Sequence, residues 1–330
     1  MATASDRLRV ALGVPLDAEN KELLVRLEPR IDLLDPHATG SVGEELLFSG
    51  EALFGIPKRS PAELARTVGA NAGLRWVHTI AAGGGQQIRA AQLDDHALRR
   101  ITFTTSAGVH AAPLAEFAVM GVLAGIKGLP MLQDAQRRHQ WGPHRALRRA
   151  ADSTVTVVGL GSIGRAAAGK LADLGFTVVG VHRRDVTVRG VSRVVPVEQL
   201  EQAASISDAI VVALPSTPLT EHMVSRSVLE AAKPGLVFVN VGRGSTVDED
   251  ALVEALNAER VSFAALDVFA AEPLAPGHPL WNLTNVLISP HTAAYTEHEL
   301  RSITELFAEN ARRLLDGEPL INQVNTVEFY

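Results

Sequence analysis

The chain contains no cysteine, and that absence removes disulfide bridges, thiolate metal ligands and cysteine nucleophiles from consideration. Long apolar runs are missing too. No stretch approaches about eighteen uncharged apolar residues, and the opening Met1 to Arg7 leads into no extended apolar segment. Neither a membrane span nor a signal peptide is expected, and a reducing cytoplasm is the expected location. An excess of positive charge is absent as well: Lys and Arg number 31 against 37 acidic residues, for a net charge of −6. The arginines between Arg137 and Arg149 are interleaved with apolar residues, so nucleic acid is not an expected partner. There is no internal repeat and no low-complexity tract.

What remains is an ordinary globular composition, 46% hydrophobic and 21% charged over 330 residues, long enough for about two domains. The most informative stretch runs from Thr154 to Gly164, where a β-branched run feeds into G-x-G-x-x-G and then into Arg165-Ala-Ala-Ala-Gly-Lys-Leu. It reads as strand, tight turn and helix. Gly159 turns without a Cβ, Gly161 lets backbone approach a pyrophosphate, and Gly164 lets helix pack on strand, while N–H groups at the helix start hold phosphate oxygens. Phe176 to His182 supplies the following strand and completes a βαβ unit.

Further strands are expected at Ala209 to Leu214, Leu236 to Val241, Ser262 to Asp267 and Asn285 to Ile288, making six from Val155 onward, with helices at Val197 to Ala204, Ser225 to Ala232 and Glu249 to Ala258. Upstream, strand-like runs at Arg7 to Val14, Ile31 to Leu34, Ala52 to Ile56, Arg75 to Ile80 and Ile101 to Thr105 alternate with helical stretches such as Lys21 to Leu27 and Pro61 to Val68. That alternation predicts a smaller, separate parallel α/β layer. Pro113 to Leu132 reads as one apolar helix crossing between domains, and Gln133 to Arg149 as an arginine-rich helical arm or loop. Glu297 to Leu315 reads as a helix returning to the first domain. The glycine-rich Ala81 to Gln87 reads as a loop at a strand's carboxyl end, either a plain connection or a place where bare N–H groups of Ala82, Gly83 and Gly84 receive a carboxylate.

Three ionisable residues stand just after late strands: Arg243 in Asn-Val-Gly-Arg-Gly-Ser, Glu272 in Asp-Val-Phe-Ala-Ala-Glu-Pro, and His291 in Ile-Ser-Pro-His-Thr. Carboxyl ends of parallel strands open onto one crevice, so the three can meet there. An arginine offers a planar fork to a carboxylate, and a histidine beside a carboxylate serves as a general acid near neutrality. Facing a nicotinamide, this set has what reduction of a 2-oxo acid needs. After the strand Thr177 to Val181 the chain reads His182-Arg183-Arg184-Asp185. A carboxylate at that strand end would favour NAD, whereas the two guanidiniums match a 2′-phosphate, so NADP is the preferred coenzyme. NAD is the alternative if Asp185 turns back to the ribose.

Four patterns together resemble the D-isomer-specific 2-hydroxyacid dehydrogenase family: Val158-Gly-Leu-Gly-Ser-Ile-Gly-Arg165, Ala213-Leu-Pro-Ser-Thr-Pro-Leu-Thr220, Val239 to Glu249, and Ala265 to Leu274 followed by Asn285 to His291. The resemblance is weaker before residue 110, where Gly-Gly-Gln-Gln replaces the family's Val-Asp-Asn in the substrate loop. It implies an α/β fold of two domains, a doubly wound Rossmann sheet at 109–291 for the dinucleotide and a smaller flavodoxin-like parallel domain, 1–108 with 292–330, for the substrate. It further implies that Arg243 binds the substrate carboxylate and carbonyl, that His291 exchanges the proton, and that Glu272 orients and charges His291. Asp267 would contact the nicotinamide carboxamide or ribose. Gly159, Gly161, Ser162, Ile163, Gly164, Leu214, Pro215, Thr220, Val241 and Gly242 would line the coenzyme, with no metal, and a homodimer would form through the cofactor domain. The implied activity is NAD(P)-dependent reduction of a small 2-oxo acid such as glyoxylate or hydroxypyruvate, with the substrate drawn between two domains that close. Phosphite oxidation and dinucleotide-sensing corepression occur on the same scaffold. Long tails and a peptide-docking surface would mark a corepressor, and no room for such tails is expected in this chain.

Overall fold

Valine-rich runs separated by amphipathic stretches fold into parallel strands, because each strand can bury both faces only when helices cover the sheet on either side. The computed structural model describes residues 7–38, 44–142, 145–327 and 329. Contacts divide the chain into two units, Met1–His110 with Thr296–Tyr330, and Ala111–Tyr295.

The first unit holds β1 (Leu8–Leu12), β2 (Ile31–Leu34), β3 (Ala52–Phe54), β4 (Trp76–Thr79) and β5 (Thr102–Thr105), all parallel in the order β2-β1-β3-β4-β5. This is the flavodoxin-like doubly wound order. Side chains alternate across it: Leu8, Val10, Leu12, Phe54 and Trp76 fill one face, Ala11, Leu53, Val77 and Phe103 the other. The helix Glu299–Asp316 closes the first face, its Phe307 stacked on Trp76 at 4.3 Å between ring centroids and set edge-on to Phe54 at 4.9 Å. The glycine-rich loop differs from its expected form, since Gly85–Ala90 is helical and takes Gln87 with it.

The second unit holds β6 (Thr154–Val158), β7 (Thr177–Val181), β8 (Val191–Val195), β9 (Ala209–Val212), β10 (Leu236–Asn240), β11 (Val261–Leu266) and β12 (Val286–Ile288). All are parallel, in the order β12-β11-β10-β9-β6-β7-β8. That is the Rossmann order with one further strand at an edge. Along β10, Leu236 and Phe238 enter one apolar layer while Val237 and Val239 enter the other, with Leu114, Ala118 and Val122 of the helix Ala111–Ile126. The sheet has seven strands where six were expected. The missed one, β8, is a short edge strand whose Ser192 and Arg193 are exposed, so it carries little apolar signal. The expected helix Pro113 to Leu132 is two helices, Ala111–Ile126 and Leu129–Arg137, bent by 64° where Gly128 adopts φ 63. The arm beyond Arg137 is irregular as far as Gly142. No single helix among the described residues is long and apolar enough to cross a membrane.

Candidate active site

The strand order reverses between β6 and β9, and the segments that leave these neighbouring strands meet there. After β6 the chain turns at Gly159 with φ +95 and enters the helix Ser162–Asp173 at once. A Cβ on Gly164 would stand 1.8 Å from the Gly159 carbonyl oxygen, so only glycine lets this helix start so close to the turn. A Cβ on Gly161 would point into open space before a helix start that no side chain caps. The N–H groups of Ser162, Ile163 and Gly164 thus belong to an uncapped helix terminus with a positive dipole end, a cradle that fits a pyrophosphate. Leu214 and Pro215 follow β9. Thr220 Oγ1 donates to the Pro215 carbonyl at 2.7 Å and folds that loop back on itself. Val241 and Gly242 follow β10, and a Cβ on Gly242 would lie 2.6 Å from Leu214 N, so the two loops touch backbone to backbone. At the end of β7, Arg183 and Arg184 are exposed, and the His182 ring lies against the Arg184 backbone.

Arg243, Glu272 and His291 come from the carboxyl ends of three adjacent strands, β10, β11 and β12. The Arg243 backbone carbonyl accepts from Thr246 Oγ1 at 2.6 Å and Asn240 Nδ2 at 3.2 Å, while its guanidinium donates to the Gly242 carbonyl at 2.7 Å. Burial pulls the Arg243 pKa below its ordinary value, opposed by the nearby carboxylates of Glu272 and Asp267. It stays a guanidinium at neutral pH. Glu272 Oε2 stands 2.7 Å from His291 Nδ1, and its Oε1 accepts the Phe269 N–H at 3.0 Å. With Nδ1 turned to the carboxylate, Nε2 is the nitrogen His291 can present to a reacting group. His291 itself sits at φ 57, a left-handed conformation that a non-glycine residue holds only when its surroundings impose it. The imposing group is Asp267, whose Oδ1 accepts from Ser289 Oγ and from the N–H groups of Thr292 and Ala293.

Asp267 thus braces the turn that carries His291, beyond the coenzyme contact expected of it. Asn240, Thr246, Ser289 and Thr292 are supporting residues that sequence reasoning passed over. Each is a small polar residue near a strand end, and many such residues in the chain do nothing comparable. Ala82, Gly83 and Gly84 lie in the first unit. There Thr79 Oγ1 donates to the Ala81 carbonyl at 3.1 Å, and a Cβ on Gly84 would meet that same oxygen. Among the described residues the N–H groups of Ala82 and Gly83 have no partner, which leaves them able to receive an anion.

The chain is similar to several known proteins. The sequence profile of "D-isomer specific 2-hydroxyacid dehydrogenase, NAD binding domain" matches residues 119–293, just over half of the chain. Mouse glyoxylate reductase/hydroxypyruvate reductase is 32% identical over 329 residues, 96% of this chain and 98% of that protein. D-3-phosphoglycerate dehydrogenase of Mycobacterium bovis is 35% identical over 228 residues, 67% of this chain. The chain spans only 41% to 59% of the length of several of the relatives it matches. A crystal structure of a D-isomer specific 2-hydroxyacid dehydrogenase from Xanthobacter autotrophicus Py2, in complex with NADPH and MES, superposes with a TM-score of 0.83 at 30% identity, covering 98% of this chain and all of that one. By fold, by profile and by full-length similarity, this chain belongs to the D-isomer-specific 2-hydroxyacid dehydrogenase family.

Proposed function

We propose that the protein reduces a small 2-oxo acid, glyoxylate or hydroxypyruvate or a close relative, to the D-2-hydroxy acid with NADPH as preferred coenzyme and NADH as the weaker one. The observation that carries this reading is the 2.7 Å pair of Glu272 and His291, set beside half-buried Arg243 at the ends of adjacent strands. Arg243 binds the substrate carboxylate and polarises its carbonyl through the planar fork of its half-buried guanidinium. When bound, the reduced nicotinamide supplies the hydride that adds to the carbonyl carbon. His291 gives the proton to the developing alkoxide from Nε2, and Glu272 holds the ring in that orientation and balances its positive charge. Gly159, Gly161, Ser162, Ile163 and Gly164 hold the pyrophosphate, Leu214, Pro215, Thr220, Val241, Gly242 and Asp267 line the nucleoside and nicotinamide, and Arg183 and Arg184 with His182 take the 2′-phosphate. The 109–291 domain is the dinucleotide-binding one, and 1–108 with 292–330 binds substrate through Ala82, Gly83 and Gly84. The mouse relative's two activities and the NADPH of the Xanthobacter protein support the substrate and coenzyme assigned here.

The protein acts in the cytoplasm as a homodimer, on this reading. Exposed Leu129, Leu132, Leu147 and Trp141, the last 97% exposed, supply the apolar surface that a second copy would cover. Turnover of purified protein with NADPH and with NADH, against glyoxylate, hydroxypyruvate and longer 2-oxo acids with formate and phosphite as controls, tests the function. NADPH-dependent reduction of at least one 2-oxo acid is expected. Oxidation of phosphite alone would overturn it.

A further inference from the structure

The segment that carries Glu272 leaves β11 and runs without regular structure through Val268, Phe269 and Ala270, and no strand or helix fixes it until the short turn Pro279–Asn282. Besides bonds within the segment, such as His278 N–H to the Ala275 carbonyl at 2.9 Å, a second carboxylate ties it. Glu249 Oε2 accepts the Ala270 N–H at 3.0 Å, and Glu249 Oε1 lies 3.2 Å from His278 Nε2. His278 Nδ1 accepts the Leu280 N–H at 3.3 Å, so the ring's proton is on Nε2 and is donated to Glu249. One side chain therefore takes a donor from each end of the stretch 270–278 and closes it into a loop, with Glu272 between the two anchor points.

Glu249 is itself well held. It is the first residue of the helix Glu249–Asn257, whose positive end favours a carboxylate, and Asp248 caps that helix by accepting the Ala251 N–H at 3.0 Å. The helix follows closely on the segment that carries Arg243. That segment meets the Glu272 loop directly, because a Cβ on Gly244 would stand 1.8 Å from the Phe269 carbonyl carbon. Glu249 is thus placed to hold one reacting side chain's loop against the other's, without an observed contact to Arg243 or His291.

We infer that Glu249, backed by His278, is a positioning residue for the reaction: it fixes the 269–273 backbone so that Glu272 meets His291. The inference rests on the reductase reading above. Misplacing a catalytic group by about 1 Å costs on the order of 100-fold in rate, so Glu249→Ala should lower kcat about 10- to 100-fold. KM for the 2-oxo acid should change much less, and NADPH binding, followed by fluorescence, should not change. The decisive measurement is a double-mutant cycle. If Glu249 acts through Glu272, Glu249→Ala should cost little further in a Glu272→Gln background, whereas a merely structural role gives losses that multiply. Amide hydrogen exchange supplies an arm independent of activity: peptides covering 268–275 should exchange faster in Glu249→Ala, and less markedly faster in His278→Ala, which decides the matter if the first variant does not fold. Multiplying losses, or unchanged exchange in 268–275, overturn the inference. Absence of any 2-oxo acid turnover by the unmodified protein would defeat the proposed function alone, with the exchange arm still deciding whether Glu249 holds the loop.

Discussion

In β4, His78 lies wholly inside the first unit, with Nδ1 2.8 Å from Thr104 Oγ1 and Nε2 3.1 Å from Ser106 Oγ. The neighbours dictate its tautomer. Ser106 Oγ donates to the Thr79 carbonyl and so accepts from Nε2–H, while Thr104 Oγ1 accepts from Trp76 Nε1 and so donates to Nδ1. A second proton on the ring would break this chain and stand as a charge among Trp76, Phe54 and Phe307. Burial pushes the His78 pKa down to about 3. The unfolded chain takes up the proton near pH 6.5 and the folded one does not, so this group's share of stability is present above about pH 6.5 and is lost as pH falls below it, by up to about 1.4 kcal/mol per pH unit. Thermal unfolding between pH 7.5 and 5 should therefore show a steeper loss of Tm in the unmodified protein than in His78→Gln, and parallel curves would contradict this. Nothing in the sequence separates His78 from the ten other histidines, because its partners lie 26 and 28 residues away, in β5 and just past its end. His291 was legible for the opposite reason. Its place after a short strand and beside Pro290 puts it at a sheet's carboxyl edge, whatever its partners prove to be.

At the scale of elements, the strand-turn-helix at Gly159 was readable because every requirement is local: a β-branched run, three spaced glycines and a small-residue helix within twenty residues. Elements set by tertiary contacts were not. The edge strand β8 owes its form to pairing with β7 across a register shift, and the helix Gly85–Ala90 begins in a glycine run that reads as a loop. The break at Gly128 needed a left-handed residue that one glycine in an apolar stretch does not announce. The end of β7 carries the element-scale prediction. Replacing Arg183 and Arg184 together by Ala should raise KM for NADPH about 10- to 100-fold, the loss expected for one or two hydrogen bonds to a charged phosphate, and leave KM for NADH within about threefold. Salt should weaken NADPH preference in the unmodified protein, since exposed charge pairs are screened. Equal losses for both coenzymes, or better kcat/KM with NADH before any change, would contradict the assignment.

On the scale of the whole molecule, residues far apart in sequence make each unit. The last long helix joins the sheet built by the first hundred residues through Phe307, and the Arg243, Glu272 and His291 set draws on three strand ends over about fifty residues of the second unit. Strand order was predictable as a class, because a β-α alternation with right-handed connections leaves few sheets to choose from. The bracing of the site was not, since Asp267, Glu249 and Asn240 act through backbone groups that no sequence pattern marks. The central claim is that this bracing exists to present His291 as the proton donor in 2-oxo acid reduction. It is tested most directly by single-turnover oxidation of bound NADPH on mixing with saturating glyoxylate or hydroxypyruvate, in the unmodified protein and in His291→Ala with its NADPH affinity measured alongside. The account predicts a rate lower by about 100- to 10,000-fold in the variant, the range for a lost general acid, with NADPH bound as tightly as before. A variant that oxidises NADPH at a near-normal rate would contradict it.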